Sequence, residues 1–568
     1  MQRTPVAALM AFAGLLIAVC AGLTFRRATT PWSTLPDADY WGNITGLITA
    51  NGVELNLAEL FRHNNEHVVP IPKLIYVANY LATSGSNTGL IVYSLAVGAV
   101  CAGLLVFLAR DLFGDTPLRF ALCALLFPLA MFSAKLTHSY FLGMSGAIWL
   151  TADLFVILSA SALAKAVSTR STVWLLASLL VALLGVLAYS TAIYSLIVLL
   201  IVCLALLLIP KLRGLMPKPA LIGTATIIIV LLGAGAINRH QAAHHPGWDF
   251  DPLGLVHFVL IYIGNALTTG PLRPVVGLAI LAIGALAIRR LMSEGRTQDV
   301  LLWIVLFFFA PFNAFMTGIG RLGYGVKIAA TSRYQSVTAL TLIATIALAL
   351  AALPKGAVSA HVARVRAAAI VVLLLVAALL ATNRAYVKNY AARNQNKMIA
   401  EIALRQGIQG DHHLKAATPA IGQLDRLLPA LRAAHHVPFN TRSRCEEVLG
   451  QHMAATVGPS AGALETITAY AMSHAAGRAI ELSGWAERDG QSPDCILIVD
   501  GDGTAMGSGA SAAPRPDLER AQGRSLGLVG WKAVASFPVA TPVCALALFP
   551  GTDQWAPLSN CQASIASE

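Results

Sequence analysis

Eleven apolar runs of roughly bilayer-spanning length dominate this chain of 568 residues. They lie near 6–24, 88–109, 119–135, 141–164, 172–189, 191–209, 220–237, 272–288, 300–316, 334–353 and 367–382. Hydrocarbon offers no water to a backbone N–H or C=O, so a crossing segment must satisfy those groups internally, as a helix of about 20 residues does. The expected fold class is a polytopic α-helical membrane protein with about eleven transmembrane helices. Composition agrees: the chain is 56% hydrophobic and 12% charged, with mean hydropathy +0.67, and soluble proteins carry about twice that charged fraction. The net charge of +12 does not point to nucleic acid, because no basic run with interleaved aromatics is present. Most Lys and Arg sit in short loops between apolar runs, where they act as topology signals.

Those signals orient the chain. Loops carrying Arg110/Arg119, Lys165/Arg170, Lys211/Arg213/Lys218, Arg289/Arg290/Arg296 and Lys355/Arg364/Arg366 fall on one side, which the positive-inside rule makes cytoplasmic. Counting the apolar stretch Leu253 to Thr268 as a full crossing would reverse the Arg289/Arg290 loop, so it is read as re-entrant or interfacial. The N-terminus is then cytoplasmic. The first loop (25–87), His138, the 238–252 and 317–333 loops and everything after Asn383 share the outer face. The run from Val6 to Thr24 reads as a retained anchor, and Val19 before Cys20 is too bulky for lipoprotein processing.

Three regions follow: a transmembrane domain at 1–382 with its large first outer loop, a helical connector at 383–440, and an exported domain at 441–568. In the last, Ala479–Trp485, Cys495–Val499, Leu526–Trp531 and Cys544–Leu548 read as strands of a β-sandwich. Gly507–Pro514 reads as a flexible loop, and Asp500-Gly-Asp-Gly-Thr504 as a hairpin turn, since Ser511 stands where a calcium loop needs Glu. Cys20, Cys101, Cys123 and Cys203 lie in apolar runs. Cys445, Cys495, Cys544 and Cys561 lie in the polar tail and imply two disulfides in an oxidising compartment. Three pairings are open, and proximity in sequence favours Cys445 with Cys495 and Cys544 with Cys561.

The first outer loop is far longer than a simple connection needs. Its apolar stretches at Ile44–Ile48 and Leu74–Leu81 read as short helices along a membrane surface. It carries Asp37 and Asp39 beside Trp32, Tyr40 and Trp41, then His63, Asn64, Asn65, Glu66, His67 and Lys73. One carboxylate there suits a general base for a substrate hydroxyl. Asp39 is the first choice, because Tyr40-Trp41 would form a sugar-stacking wall, and Asp37 is the second. Glu66, His67 and Lys73 suit hydroxyl or phosphate binding. His63 and His67 have helical spacing, but the H-E-x-x-H order is absent and no metal site is assigned.

The 317–333 loop contains a literal G-x-G-x-x-G at Gly318, Gly320 and Gly323. No βαβ unit surrounds it, so a dinucleotide site is not expected. With Arg321, Lys327 and Arg333-Tyr334 the same stretch offers a phosphate cradle. His138, in the tight outer turn Lys135–Tyr140, is a further candidate for substrate contact.

These residues resemble the GT-C superfamily of bacterial membrane glycosyltransferases: Asp37-Ala-Asp39 at the acidic position of the first outer loop, Asn65-Glu66-His67, and Arg333-Tyr334 before a late helix. Where many relatives continue with Arg, this chain has Val68-Val69, and Lys73 is the nearest basic substitute. The tail resembles the appended exported β-domain through Ser483-Gly-Trp485, Val499-Asp500, Arg515-Pro-Asp517 and Val529-Gly-Trp531. The resemblance implies an inverting glycosyltransferase of the cytoplasmic (inner) membrane. It would take a sugar from a polyprenyl-phosphate carrier in the bilayer and give it to a hydroxyl of a cell-envelope glycan, lipid or protein. No cofactor is implied beyond that lipid-linked donor, and a divalent-cation requirement stays open. The alternative is a transporter or flippase of lipid-linked glycans, which needs charge near the membrane midplane. Within the spans only Asp153 stands out, near the outer third of its helix, and no clear paired repeat is present.

Overall fold

A computed structural model describes residues 3–29, 33–37, 39–49, 52–64, 67–209, 216–237, 251–354, 373–379, 383–408, 411–418, 421–456, 458, 460–471, 478–537 and 542–558. Trp32, Asn65, Glu66, Cys561, the loop at 238–250 and most of the apolar run at 367–382 lie outside them. The chain divides into two compact units. The first, here the helical unit, comprises Met1–Arg27, Leu60–Ile75 and Leu90–Tyr386. The second, the sheet unit, comprises Ala28–Glu59, Tyr76–Gly89 and Val387–Glu568. Much of the first loop therefore groups with the tail, where the sequence had assigned it to the transmembrane domain.

Among the described residues, eight helices are long and apolar enough to cross a membrane: Val6–Ala28, Asn87–Phe113, Pro117–Phe141, Gly143–Thr169, Ser190–Leu208, Gly270–Ser293, Leu301–Tyr324 and Ser332–Ala352. Each coincides with an expected crossing. The expected crossings at 172–189 and 220–237 are shorter apolar helices, Thr172–Ala188 and Lys218–Ala234. The stretch read as re-entrant or interfacial is a helix at Pro252–Gly264, too short to span at about 1.5 Å per residue. Ser332–Ala352 is the innermost helix of its unit, with 89% of its apolar window buried. The long helix Leu301–Arg321 takes in Gly318 and Gly320, so the expected glycine-rich loop is mostly helix. A side chain at Gly318 would collide with Leu255 and Phe258, so this glycine serves helix packing. Helical N–H groups are already bonded, which removes the expected backbone cradle. Three 3-10 turns follow, at Leu322–Tyr324, Val326–Ala330 and Ser332–Tyr334.

In the sheet unit the first-loop residues form a helix at Tyr40–Ile44 and a small antiparallel hairpin, β1 (Ile48–Thr49) with β2 (Gly52–Val53). The expected helix at 44–48 is thus a turn entering the hairpin, while Leu74–Leu81 lies within a helix at Pro70–Thr83. The connector is helical as read, at Asn383–Arg405, Asp411–Ala417 and Ile421–Ala433.

The tail is one antiparallel sheet of seven strands and not the expected sandwich: β3 (Ala461–Ala471), β4 (Arg478–Glu487), β5 (Cys495–Val499), β6 (Ala505–Ala513), β7 (Gly530–Phe537), β8 (Cys544–Leu548) and β9 (Trp555–Pro557), in the order β3-β4-β7-β6-β5-β8-β9. One face buries Leu482, Ile496, Ile498, Trp531 and Ala533. On the other, Ala479 and Val534 pack against Ile399, Ile402 and Ala403 of the connector helix. A helix layer on that face takes the place of a second sheet.

The stretch expected as a flexible loop, Gly507–Pro514, is largely strand β6. There Gly507 opposes Ala535 and Gly509 opposes Ala533 on β7, and a side chain at either glycine would press on the β7 backbone. Tertiary fit overrides the low strand propensity of Gly, Ser and Ala. The expected strand at 526–531 begins only at Gly530. The Asp500–Thr504 turn is as read: Asp500 Oδ1 accepts from the N–H groups of Asp502 at 3.0 Å and Thr504 at 2.8 Å. A disulfide joins Cys445 to Cys495, as sequence proximity favoured. The pairing of Cys544 with Cys561 lies outside the described residues.

Glu481 on β4 lies 2.7 Å from Lys532 Nζ on β7 and 3.6 Å from His413 Nε2. Burial raises its pKa, but hydrogen bonds from His413 and Lys532 prevail and hold it at about 2, below its ordinary 4.5. Its folded pKa is depressed, so this stabilisation is present above pH 4.5 and is lost as pH falls toward 2. The melting temperature should fall across that window in the wild type and fall less in Glu481→Gln, as thermal unfolding followed by circular dichroism would show.

Candidate functional site

The acidic segment of the first loop is held within the sheet unit by the connector helix. Thr34 donates from Oγ1 to Glu401 Oε1 at 2.6 Å and from its backbone N to Oε2 at 3.1 Å. Glu401 is paired with Arg405 at 2.9 Å, and Arg405 with Glu446 at 2.7 Å. Asp37, only 2% exposed, receives Arg393 at 3.0 Å and lies 3.8 Å from Lys397 Nζ. Burial depresses the Lys397 ammonium below the ordinary lysine range, and the Asp37 charge pulls the other way. Asp37 is thus the counter-ion of two cations, a structural employment that leaves Asp39 as the better base.

Asp39 is half-buried at the start of the Tyr40–Ile44 helix, and its backbone carbonyl accepts from the Asn43 side chain at 2.8 Å. Tyr40 and Trp41 do not form an open stacking wall. Both are buried, their rings meeting edge to face at 5.2 Å, and Trp41 Nε1 donates to the Pro36 carbonyl at 3.2 Å. They are core residues that fix the position of the acidic segment.

The other candidates belong to the helical unit. His67 sits where two helices break. Thr172–Ala188 ends at Tyr189 and the next helix starts through Ser190; Tyr189 Oη lies 3.2 Å from His67 Nε2 and Ser190 Oγ 2.9 Å from Nδ1. From there aromatic rings run in a chain. His67 packs on Tyr189 at 4.6 Å, Tyr189 on Trp149 at 4.6 Å, Trp149 edge-on to Tyr334 at 5.7 Å, and Tyr334 stacked on Tyr262 at 4.9 Å. Arg333 closes it, its Cζ 5.4 Å from the centroid of the Tyr334 ring. Among the described residues its guanidinium has no carboxylate partner, and its Nε reaches Thr331 Oγ1 only at 3.5 Å.

The structure therefore joins two sequence candidates, His67 and Arg333-Tyr334, through Tyr189 and Trp149, with Tyr262 stacked on Tyr334; the sequence reading names none of these three aromatic residues. The polar break Tyr189-Ser190-Thr191 between apolar runs was the available signal. His138 is half-buried on the short Thr137–Phe141 helix, which packs against the Ser332–Tyr334 turn. Lys327 is exposed on its 3-10 turn, and Arg321 is half-buried at the end of its helix. Lys73 is buried and donates from Nζ to the Arg62 carbonyl at 2.7 Å. Glu66 lies outside the described residues.

The Arg333 turn is braced from below. Lys135, also buried, donates from Nζ to the carbonyls of Asn265 and Thr268, both at 2.8 Å. Asn265 donates to the Ala330 carbonyl at 2.9 Å and accepts from Arg273 Nε at 3.1 Å. These bonds fix the backbone leading into Arg333. An arginine without a counter-ion among the described residues, held on an aromatic ring by a braced turn, is suited to an anion such as phosphate. No family model and no curated protein matches this chain.

Asp37→Asn should lower the unfolding free energy by about 3–5 kcal/mol, because it strips the counter-charge from a buried ammonium. Denaturant unfolding of the detergent-solubilised protein measures it. A loss below about 1 kcal/mol would show that the pairing contributes no more than an exposed ion pair does.

Proposed function

We propose that this protein is an inverting glycosyltransferase. It moves a sugar from a polyprenyl-phosphate carrier to a hydroxyl of a cell-envelope glycan, lipid or protein on the outer face of a bacterial cytoplasmic membrane. The observation that carries the reading is Arg333: a guanidinium without a carboxylate partner among the described residues, set on Tyr334 at the end of an aromatic line in a unit built of membrane-length helices. Phosphate suits the guanidinium, a sugar ring suits the aromatic faces, and a polyprenyl tail suits the apolar helices. The Cys445–Cys495 disulfide supports an oxidising compartment for the tail.

In this reading a carboxylate base, for which Asp39 is the sequence candidate, takes the proton of the acceptor hydroxyl as its oxygen attacks the anomeric carbon. The new carbon–oxygen bond forms as the bond from that carbon to the phosphate oxygen breaks, and the electron pair leaves with the phosphate. Arg333, with Lys327 on the neighbouring turn, neutralises the departing charge. A single backside displacement inverts the anomeric centre. His67, held by Tyr189 and Ser190, orients the sugar or acceptor.

Asp153, a buried acid inside a spanning helix, favours the second reading, a transporter of lipid-linked glycan, since intramembrane acids commonly mark transport paths. One assay separates the two. Protein reconstituted in vesicles is given radiolabelled polyprenyl-phosphate sugars, and both transfer to acceptor and movement across the bilayer are followed. Transfer supports the glycosyltransferase, whereas movement without transfer supports the transporter. Asp39→Asn should reduce transfer by about 10²–10⁴-fold with membrane insertion unchanged. Arg333→Ala should reduce it by about 10²–10³-fold. Unchanged transfer in Asp39→Asn would remove Asp39 as the base.

A further inference from the structure

Asp153 is the only buried carboxylate among the described residues of the helical unit, and its one side-chain hydrogen-bond donor there is the Ser336 hydroxyl. Around that pair, Gln335 Nε2, Tyr334 Oη and Tyr262 Oη have no hydrogen-bond partner among the described residues. All five side chains are at most 3% exposed. Buried polar atoms are nearly always bonded, and one left bare is destabilising. Three bare groups around one buried carboxylate point to a polar occupant.

Their arrangement ties them to the aromatic line. Asp153 stands one turn after Trp149 on the Gly143–Thr169 helix, and Trp149 meets the ring of Tyr334. Arg333, Tyr334, Gln335 and Ser336 are consecutive, so one short stretch leads from the unpaired guanidinium to the hydroxyl beside Asp153. The chemistry of the bare atoms discriminates among occupants. A metal cation needs acceptors only and would leave the Gln335 amide donor unsatisfied. An anion would be repelled by the carboxylate. A polyhydroxylated ring donates to Asp153, accepts from Gln335 and the tyrosines, and lays its C–H face on Trp149 or Tyr334.

We infer that Asp153 is a specificity-determining residue that accepts hydrogen bonds from hydroxyls of the sugar carried on the lipid phosphate, with Ser336 and Gln335 completing the contact. The inference rests on the glycosyl-transfer reading, since it places the sugar next to a phosphate held by Arg333.

The test is binding to the full-length protein in nanodiscs, followed by tryptophan fluorescence, with three probes: polyprenyl phosphate, polyprenyl-phosphate glucose and polyprenyl-phosphate mannose. The wild type should bind at least one sugar-bearing lipid about tenfold or more tightly than the bare phosphate, as hydrogen bonds to a charged group predict. Asp153→Asn should lose that preference and keep its affinity for the bare phosphate, whereas Arg333→Ala should lose the bare phosphate itself. If Asp153→Asn fails to fold, Ser336→Ala should show the same preference reduced several-fold. An unchanged preference in the variant that folds overturns the assignment and leaves the transferase reading intact. A wild type with no preference for either sugar-bearing probe overturns it as well. Sodium-dependent thermal stabilisation that disappears in Asp153→Asn overturns it in favour of a cation site. A wild type that binds none of the lipids and transfers no sugar overturns the transferase reading itself.

Discussion

Hydrocarbon leaves a backbone N–H or C=O no solvent partner, and that requirement governs the helical unit more than any single contact does. Helices of spanning length satisfy it internally, so the places where helices stop are where polar chemistry becomes both necessary and available. The break at Tyr189 and Ser190 receives His67; the turns after Arg321 receive Asn265, which Lys135 reaches in turn. Asn265 and Lys135 brace the turn leading into the candidate phosphate site, and His67 stands at the far end of the aromatic line. Chemistry of this kind gathers at interruptions because uninterrupted helices have no free backbone to offer and little tolerance for charge.

The same requirement explains how much could be read beforehand. Hydropathy is summed over many residues, so the eight helices long and apolar enough to cross a membrane and the short Pro252–Gly264 segment are legible in it. The sheet was half visible: β5 and β8 are dense in apolar residues, while β6, made of Gly, Ser and Ala, has no local signature and exists because its small residues fit against Ala533 and Ala535. Gly318 is the converse case, a motif letter that looks like loop chemistry and is helix packing. At the site, Arg333-Tyr334 and His67 could be named because charged and imidazole groups stand out in an apolar chain. Trp149, Tyr189 and Tyr262 could not, because a lone aromatic in a hydrophobic run looks the same whether it lines a site or fills a core. Tyr40 and Trp41 were misjudged for that reason in the opposite direction.

Two buried aspartates show how partners, and not burial alone, separate structure from function. Asp37 and Asp153 are both shielded from solvent. Asp37 has Arg393 and Lys397 within ion-pair distance, and Thr34, three residues earlier, is bonded to Glu401. Its charge is used up in fixing the acidic segment to the connector helix. Among the described residues Asp153 has no cation within ion-pair distance and only the Ser336 hydroxyl as a side-chain donor, in the more apolar of the two settings. A buried charge without compensation is too costly to keep as packing material. An apolar residue of similar size would fill the space at lower cost. The retention of a carboxylate there makes sense when something that donates hydrogen bonds occupies the site for part of the working cycle.

That reasoning also bears on the choice between moving a glycan and transferring a sugar. A transport path calls for polar groups distributed along the depth of the bilayer, so that cargo is handed on from one to the next. Here the buried polar groups of Asp153, Ser336, Gln335, Tyr334 and Tyr262 cluster about one turn of the Gly143–Thr169 helix and the start of the Gln335–Ala352 helix, next to Arg333. A local cluster holds a group in one place. Holding a sugar while its phosphate is held by a guanidinium fixes the anomeric carbon between them, and a fixed anomeric carbon is what a single displacement needs. The concentration of the polar atoms, more than their number, favours transfer over passage.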